Sequence, residues 1–160
     1  MNTDWKKLLV DKLPLLGHRN WILVVDKAYP LQNSNGLTVC DSGESLPVVL
    51  EYVLNEVSKS THVHPVVYFD RELKALDESY CSGINELRSQ IIEKVNAAHP
   101  YAVNEMIHDE IIEKVDNRSK VFNMLVIKTE ALLPYTSVFI ELECGYWKPD
   151  QEKKLRDSMR

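Results

Sequence analysis

The run WILVVD, Trp21 to Asp26, is an unbroken apolar stretch closed by an acid, too short for a helix and rich in branched side chains. It has no polar face to turn toward water, so it reads as a strand covered on both sides in a mainly parallel sheet. A strand of that kind needs helices on both faces of its sheet, joined by right-handed crossovers, which makes the chain an α/β protein of three layers. In such sheets the loops beyond the carboxyl ends of the strands carry the reacting groups. The polar residues bracketing Trp21 to Val25, and those that follow the second apolar run at Val126 and Ile127, are therefore expected where a ligand cleft forms.

The rest of the chain alternates in the same sense. Asp4 or Thr3 caps a first short helix carrying Trp5, Leu8, Leu9 and Leu13, and Pro14 with Gly17 ends it. The long connection from Lys27 to Gly43 is dominated by turn formers, with only LTVC extended. Val48, Val49, Leu50, Val53, Leu54 and Val57 make a helical stripe between Ser45 and Ser60, with Pro47 tolerated in the first turn. PVVYF, Pro65 to Phe69, reads as a strand, Ile84 to Ala98 as a helix, Ala102 to Ile107 as a strand and His108 to Asn117 as a short helix. Asn123 to Lys128 and Ser137 to Glu143 complete the strands. Residues 1–145 thus form one domain, and 146–160 a charged tail, frayed or weakly helical.

Composition narrows the function classes. With 160 residues, 44% of them hydrophobic, the chain buries one core without metal or disulfide staples. The net charge of −5 is spread over interspersed acids and bases instead of a basic stripe, which disfavours a nucleic-acid partner. Cys40, Cys81 and Cys144 form no CxxC pair and read as free thiols of a reducing, cytoplasmic setting. No apolar run reaches membrane-spanning length, so no membrane partner is expected. GxGxxG, P-loop, GxSxG and HExxH patterns are all missing, and no cofactor is expected.

Several polar residues admit two readings. His18, after Gly17, is either a turn residue at the surface or a catalyst. On strand geometry it lies roughly 20 Å from Asp26. Either the chain bends sharply, or His18 of one subunit meets Asp26 of another. His62 and His64 alternate as metal ligands would, without acidic residues at matching spacing. His108-Asp109-Glu110 is an acid/base or metal cluster, or a set of partners for a helix dipole. Lys128 binds a phosphate or hydroxyl, or is solvated.

Two segments carry a resemblance. Gly17, His18, Leu23, Val24, Asp26 and Pro30 match a pattern of the form GHxDxLVVxDAxxPxP, and Lys128, Thr129, Pro134 and Tyr135 match one of the form RTGExxPYAN followed by a hydrophobic strand. With these residues the chain resembles the RbsD/FucU family of sugar mutarotases, D-ribose pyranase and L-fucose mutarotase, over most of residues 5–145, and the ribose pyranase pattern is the closer. The resemblance implies the family fold, an isomerase activity on a free monosaccharide and no cofactor. It implies His18 as the proton donor, with Asp26, His108, Tyr135, Thr136 and Ser137 lining the sugar pocket. It also implies a homo-oligomer, often a decamer built of rings, with sites at subunit boundaries. Asn20 stands where the family usually has aspartate, Glu130 and Ala131 where it has glycine and glutamate, Ser137 where it has asparagine, and Ile112 where some ribose pyranases carry lysine. These departures leave open a homologue that binds or senses sugar without turning it over.

Overall fold

The computed structural model describes residues 4–98 and 103–160. Five helices, α1 (Trp5–Lys12), α2 (Leu46–Lys59), α3 (Ile84–Ala98), α4 (His108–Ser119) and α5 (Pro149–Ser158), are connected through six strands. These are β1 (Trp21–Val25), β2 (Leu37–Asp41), β3 (Val63–Asp70), β4 (Asn104–Met106), β5 (Met124–Lys128) and β6 (Val138–Cys144). The strands form one sheet in the order β2-β5-β1-β6-β3-β4. Strand β6 runs antiparallel to both β1 and β3, while every other pairing is parallel. The expected mainly parallel sheet is thus present. Thr3, the alternative cap, and Ala102, the expected start of β4, lie outside the described residues; Asp4 is the cap, its Oδ1 accepting from the Lys7 amide at 3.1 Å.

The apolar run forms the centre. All five residues of β1 are buried, between β5 on one edge and β6 on the other. Alternate side chains feed two cores. Ile22 and Val24 join residues of α1, α2 and α3 on one face, while Trp21, Leu23 and Val25 pack with Ile111 and Val115 of α4 on the other. That is the three-layer arrangement expected from a strand without a polar face.

Beyond β6 the tail is helical, the second of the two expectations for it. Pro149 opens α5, the Gln151 side chain accepts from the Lys148 amide at 2.8 Å, and Lys153–Asp157 and Arg156–Glu152 pair at i,i+4. These local bonds favour a helix even though α5 buries none of its own residues. Among the described residues no helix is long and apolar enough to cross a membrane.

Edge strand β2 depends on a close approach that periodicity does not reveal. The Gly36 carbonyl accepts from the Met124 amide at 2.8 Å, and a Cβ added at Gly36 would lie 2.0 Å from the Ser119 carbonyl oxygen. Gly36→Ala is therefore expected to destabilise the fold by about 2 kcal/mol or more. Denaturant unfolding checks this, and an unchanged midpoint would show that β2 can shift away from the end of α4 at no cost.

Candidate functional site

Five strands point the same way, so the carboxyl ends of β1, β3 and β5 and the start of antiparallel β6 meet at one edge of the sheet. The Thr129 hydroxyl donates to the Val25 carbonyl at 2.9 Å and ties the end of β5 to the end of β1. One residue on, the Asp26 amide donates to Ser137 Oγ at 3.0 Å, and the Ser137 hydroxyl donates back to Asp26 Oδ1 at 2.5 Å. Ser137 is buried and Asp26 half-buried, so one carboxylate oxygen is held while the other has no partner among the described residues.

The second half of the site comes from β3 and α4. His108 is the first residue of α4, and no side chain of the residue before it caps the helix. Glu72, just after β3, supplies that function, both carboxylate oxygens accepting from the His108 amide at 3.0 and 3.1 Å. His108 Nδ1 lies 3.0 Å from Asp70 Oδ1, and its ring meets Tyr135 edge-on with centroids 5.4 Å apart. Tyr135 takes a left-handed backbone conformation with φ 60°, which turns the chain between Pro134 and β6.

Asp70 is the buried electrostatic centre of this half. Its side chain is buried, and its Oδ2 has no hydrogen-bond partner among the described residues. Burial raises its pKa to about 6, with the His108 contact pulling the other way and the charges of Glu72 and Asp26 adding to the rise. Above that pH the carboxylate only accepts, so Nδ1 of His108 donates to it, and the tautomer that does so has Nε2 as its acceptor. Tyr29, also buried, donates to Gln32 Oε1 at 2.9 Å; its pKa is pushed well above the ordinary range by burial and then by the charges of Asp70 and Asp26.

Asp26, Ser137, His108 and Tyr135 thus gather at the carboxyl edge. Thr136 is there too, but its hydroxyl donates to the Leu133 carbonyl at 2.8 Å and holds the turn. Lys128 reaches the Lys27 carbonyl at 3.1 Å, while Lys27 pairs with Asp41 and Glu130. His18 is elsewhere. It is exposed at the amino end of β1, in a turn pinned by Asn20, whose Oδ1 accepts from the Gly17 amide at 2.7 Å. The length of β1, about 16 Å, separates it from Asp26 within one chain. The chain does not bend back, so the intrachain alternative is removed.

Asp70, Glu72 and Tyr29 escaped the sequence reading. The acid closing PVVYFD is the one available signal for Asp70, since it repeats the acid that closes WILVVD. Among the metal candidates, His62 Nε2 contacts the Leu16 carbonyl at 2.9 Å, His64 lies on β3 opposite Glu143, and His108 is bound to Asp70. No group of three or more potential ligands converges among the described residues.

No family model matches the chain, and no curated protein matches it. Solved structures do. RbsD of Bacillus subtilis, complexed with D-ribose, aligns with a TM-score of 0.57 at 16% identity, over 89% of this chain and 93% of that one. The fucose mutarotase of Streptococcus pneumoniae, in complex with L-fucose, aligns at 0.60 and 18%, over 84% and 89%. FucU of Bifidobacterium longum aligns at 0.57 and 11%, over 86% and 94%. The chain therefore has the RbsD/FucU-like α/β architecture, and the scores favour neither a pyranase nor a mutarotase.

The Asp70 environment yields a pH signature. A carboxyl group whose folded pKa is raised contributes stability that is complete below its ordinary range and is lost as pH climbs through about 6. Asp70→Asn removes that loss while keeping an acceptor for His108. The variant is expected to gain on the parent protein between pH 4 and pH 8, by up to about 3 kcal/mol at the upper end. Thermal melts across that range read the difference, and a gap in Tm that stays constant with pH would refute the assignment.

Proposed function

We propose that the chain interconverts ring forms or anomers of a free monosaccharide of the ribose or fucose type by general acid/base proton transfer. The observation that carries this reading is the paired carboxyl edge, where Asp26 is locked by Ser137 and His108 is oriented by Asp70, within an architecture shared with proteins that hold D-ribose and L-fucose. The chemistry needs only protons to move. A group donates a proton to the ring oxygen while another removes the proton of the anomeric hydroxyl. The bond between the anomeric carbon and the ring oxygen breaks, the open-chain aldehyde forms, and it recloses on a different face or through a different hydroxyl.

In this scheme His18 donates to the ring oxygen, since an imidazole exchanges protons near neutral pH. His108, its ring oriented by the Asp70 contact at Nδ1, accepts from the anomeric hydroxyl through Nε2. Asp26 and the Tyr135 corner hold the remaining hydroxyls, where a missing partner is costly because the other group stays buried and unpaired. Because β1 separates His18 from Asp26, the working site takes His18 from one subunit and the carboxyl edge from the next, in a homo-oligomer. No metal or cofactor enters any step.

A binding-only reading rests on one observation. Glu130 is engaged by Lys27 at 3.0 Å and Ala131 has no polar side chain, so the loop before Tyr135 offers the sugar no free acidic side chain. That reading expects sugar to bind without faster exchange.

Saturation-transfer NMR on D-ribose and L-fucose separates the two. The proposed activity predicts faster ring-form exchange with the protein present, and a loss of about 10² to 10⁴ in that increment for His18→Ala. Unaltered exchange across a panel of sugars would sink the catalytic reading. The shared site predicts more: Asp26→Asn is also inactive alone, yet co-expressed with His18→Ala it forms mixed assemblies that regain about a quarter of the parent activity, because random mixing leaves that share of sites intact. Mixed assemblies as inactive as either variant would refute the interface arrangement.

A further inference from the structure

At the amino end of β1 a separate cleft of about 570 Å³ opens between the His18 turn and α5. Its size falls within the range of small-molecule sites, about 300–1,000 Å³. Both walls are anchored to one residue, His62, just before β3. His62 Nε2 contacts the Leu16 carbonyl at 2.9 Å on the side of the His18 turn, and the His62 carbonyl accepts from the Gly145 amide at 2.9 Å on the side of α5. Gly145 permits that crossing, since a Cβ there would lie 2.5 Å from the Thr61 carbonyl oxygen. The Arg19 amide adds a bond to the Leu142 carbonyl at 2.8 Å. His18 and the residue that follows the Gly145 turn, Trp147, are therefore held in a fixed relation across the cleft.

Trp147 is fixed in orientation as well as place. Its indole N–H donates to Glu152 Oε2 at 2.6 Å, and the other oxygen of Glu152 accepts from Arg156 Nε at 2.6 Å. Trp147 is 39% exposed, whereas Trp5 and Trp21 are 5% and 0% exposed. The charges along the cleft nearly balance, Arg19, Lys148 and Arg156 against Glu143 and Glu152. A braced aromatic face with hydroxyl-bonding groups around it and little net charge suits a neutral polyhydroxylated ring, which offers C–H groups to the indole and hydroxyls to the rim.

We infer that α5 makes the His18 end of the sheet into a carbohydrate cleft in which Trp147 stacks on one face of the sugar and sets which sugar is accepted. The inference rests on the proposed reaction only for its link to turnover: His18 would then protonate a ring that Trp147 supports from the same subunit. Binding itself is independent of that link.

Trp147 is the sole half-exposed tryptophan, so protein emission reports its contact with ligand. D-ribose or L-fucose is expected to change that emission saturably, and Trp147→Ala should abolish the change. The same variant should raise KM for ring-form exchange, or Kd by calorimetry, about fivefold or more, with kcat within about twofold, while Trp147→Phe restores most of the affinity. Exchange catalysed with unchanged KM by Trp147→Ala would overturn the inference and leave the reaction standing. Saturable Trp147-dependent binding with no exchange would support the cleft and remove the reaction. Emission and calorimetry unmoved by either sugar would overturn the cleft.

Discussion

Strand β1 has no solvent face and no free edge, and the placement of every functional group follows from that. Its five residues are buried, with β5 and β6 on its edges and a core on each side. Polar side chains can occur only where the strand stops. One stop carries Asp26 and the other the turn with His18, so the strand acts as a rigid spacer between two chemically different ends. Close-packed cores transmit position faithfully. Trp21, Leu23 and Val25 against α4, with Ile22 and Val24 against α1 to α3, leave β1 little freedom to slide or tilt. His18 and Asp26 cannot approach each other within a chain, so under the proposed function they cooperate only through a second copy.

At the carboxyl end, positioning is obtained at an electrostatic cost. Asp70 is buried and keeps one oxygen without a partner among the described residues, and the burial disfavours its charged form. Its other oxygen fixes the imidazole of His108, and Glu72 fixes the same residue through the backbone. Two acids thus act on one histidine, one selecting the tautomer and the other anchoring the start of α4. The exposed pairs of Lys27 with Asp41 and Glu130 are different in kind, since water screens them and they add little stability. They hold a loop against the edge of the site. Local strain at Tyr135 belongs with the buried set, because its left-handed backbone persists only where Thr136, Ser137 and the His108 ring surround it.

Elements with strong periodicity were legible from the chain alone. The stripes of α2 and α3 and the apolar runs of β1 and β5 emerge within about two residues of their expected ends, because burial of one face or of both is written directly into residue order. Asp26, His108, Tyr135 and Ser137 were legible as neighbours of strand ends and through a family pattern. What was not legible depends on contacts distant in sequence. Asp70 acquires its character from being sealed beneath His108, thirty-eight residues later. Tyr29 sits in a loop of turn formers yet is buried against Phe139. Gly36 is decided by the end of α4, and the choice between a frayed and a helical tail by local pairing among the charges of α5.

The tail also bears on how an exposed histidine could serve as an acid. A proton donor facing bulk water competes with water itself, and the donor gains most where the reacting ring is held and solvent is displaced. The His18 turn alone offers no such enclosure, since His18 is exposed. Helix α5 is ten residues long, shorter than a helix that is stable by itself in water, and its order comes from Pro149, Gln151 and the pairs centred on Glu152. Those same pairs aim Trp147 into the cleft. Organising the helix and organising a wall opposite His18 are therefore one event, and any ligand that packs on the indole stabilises the helix that presents it.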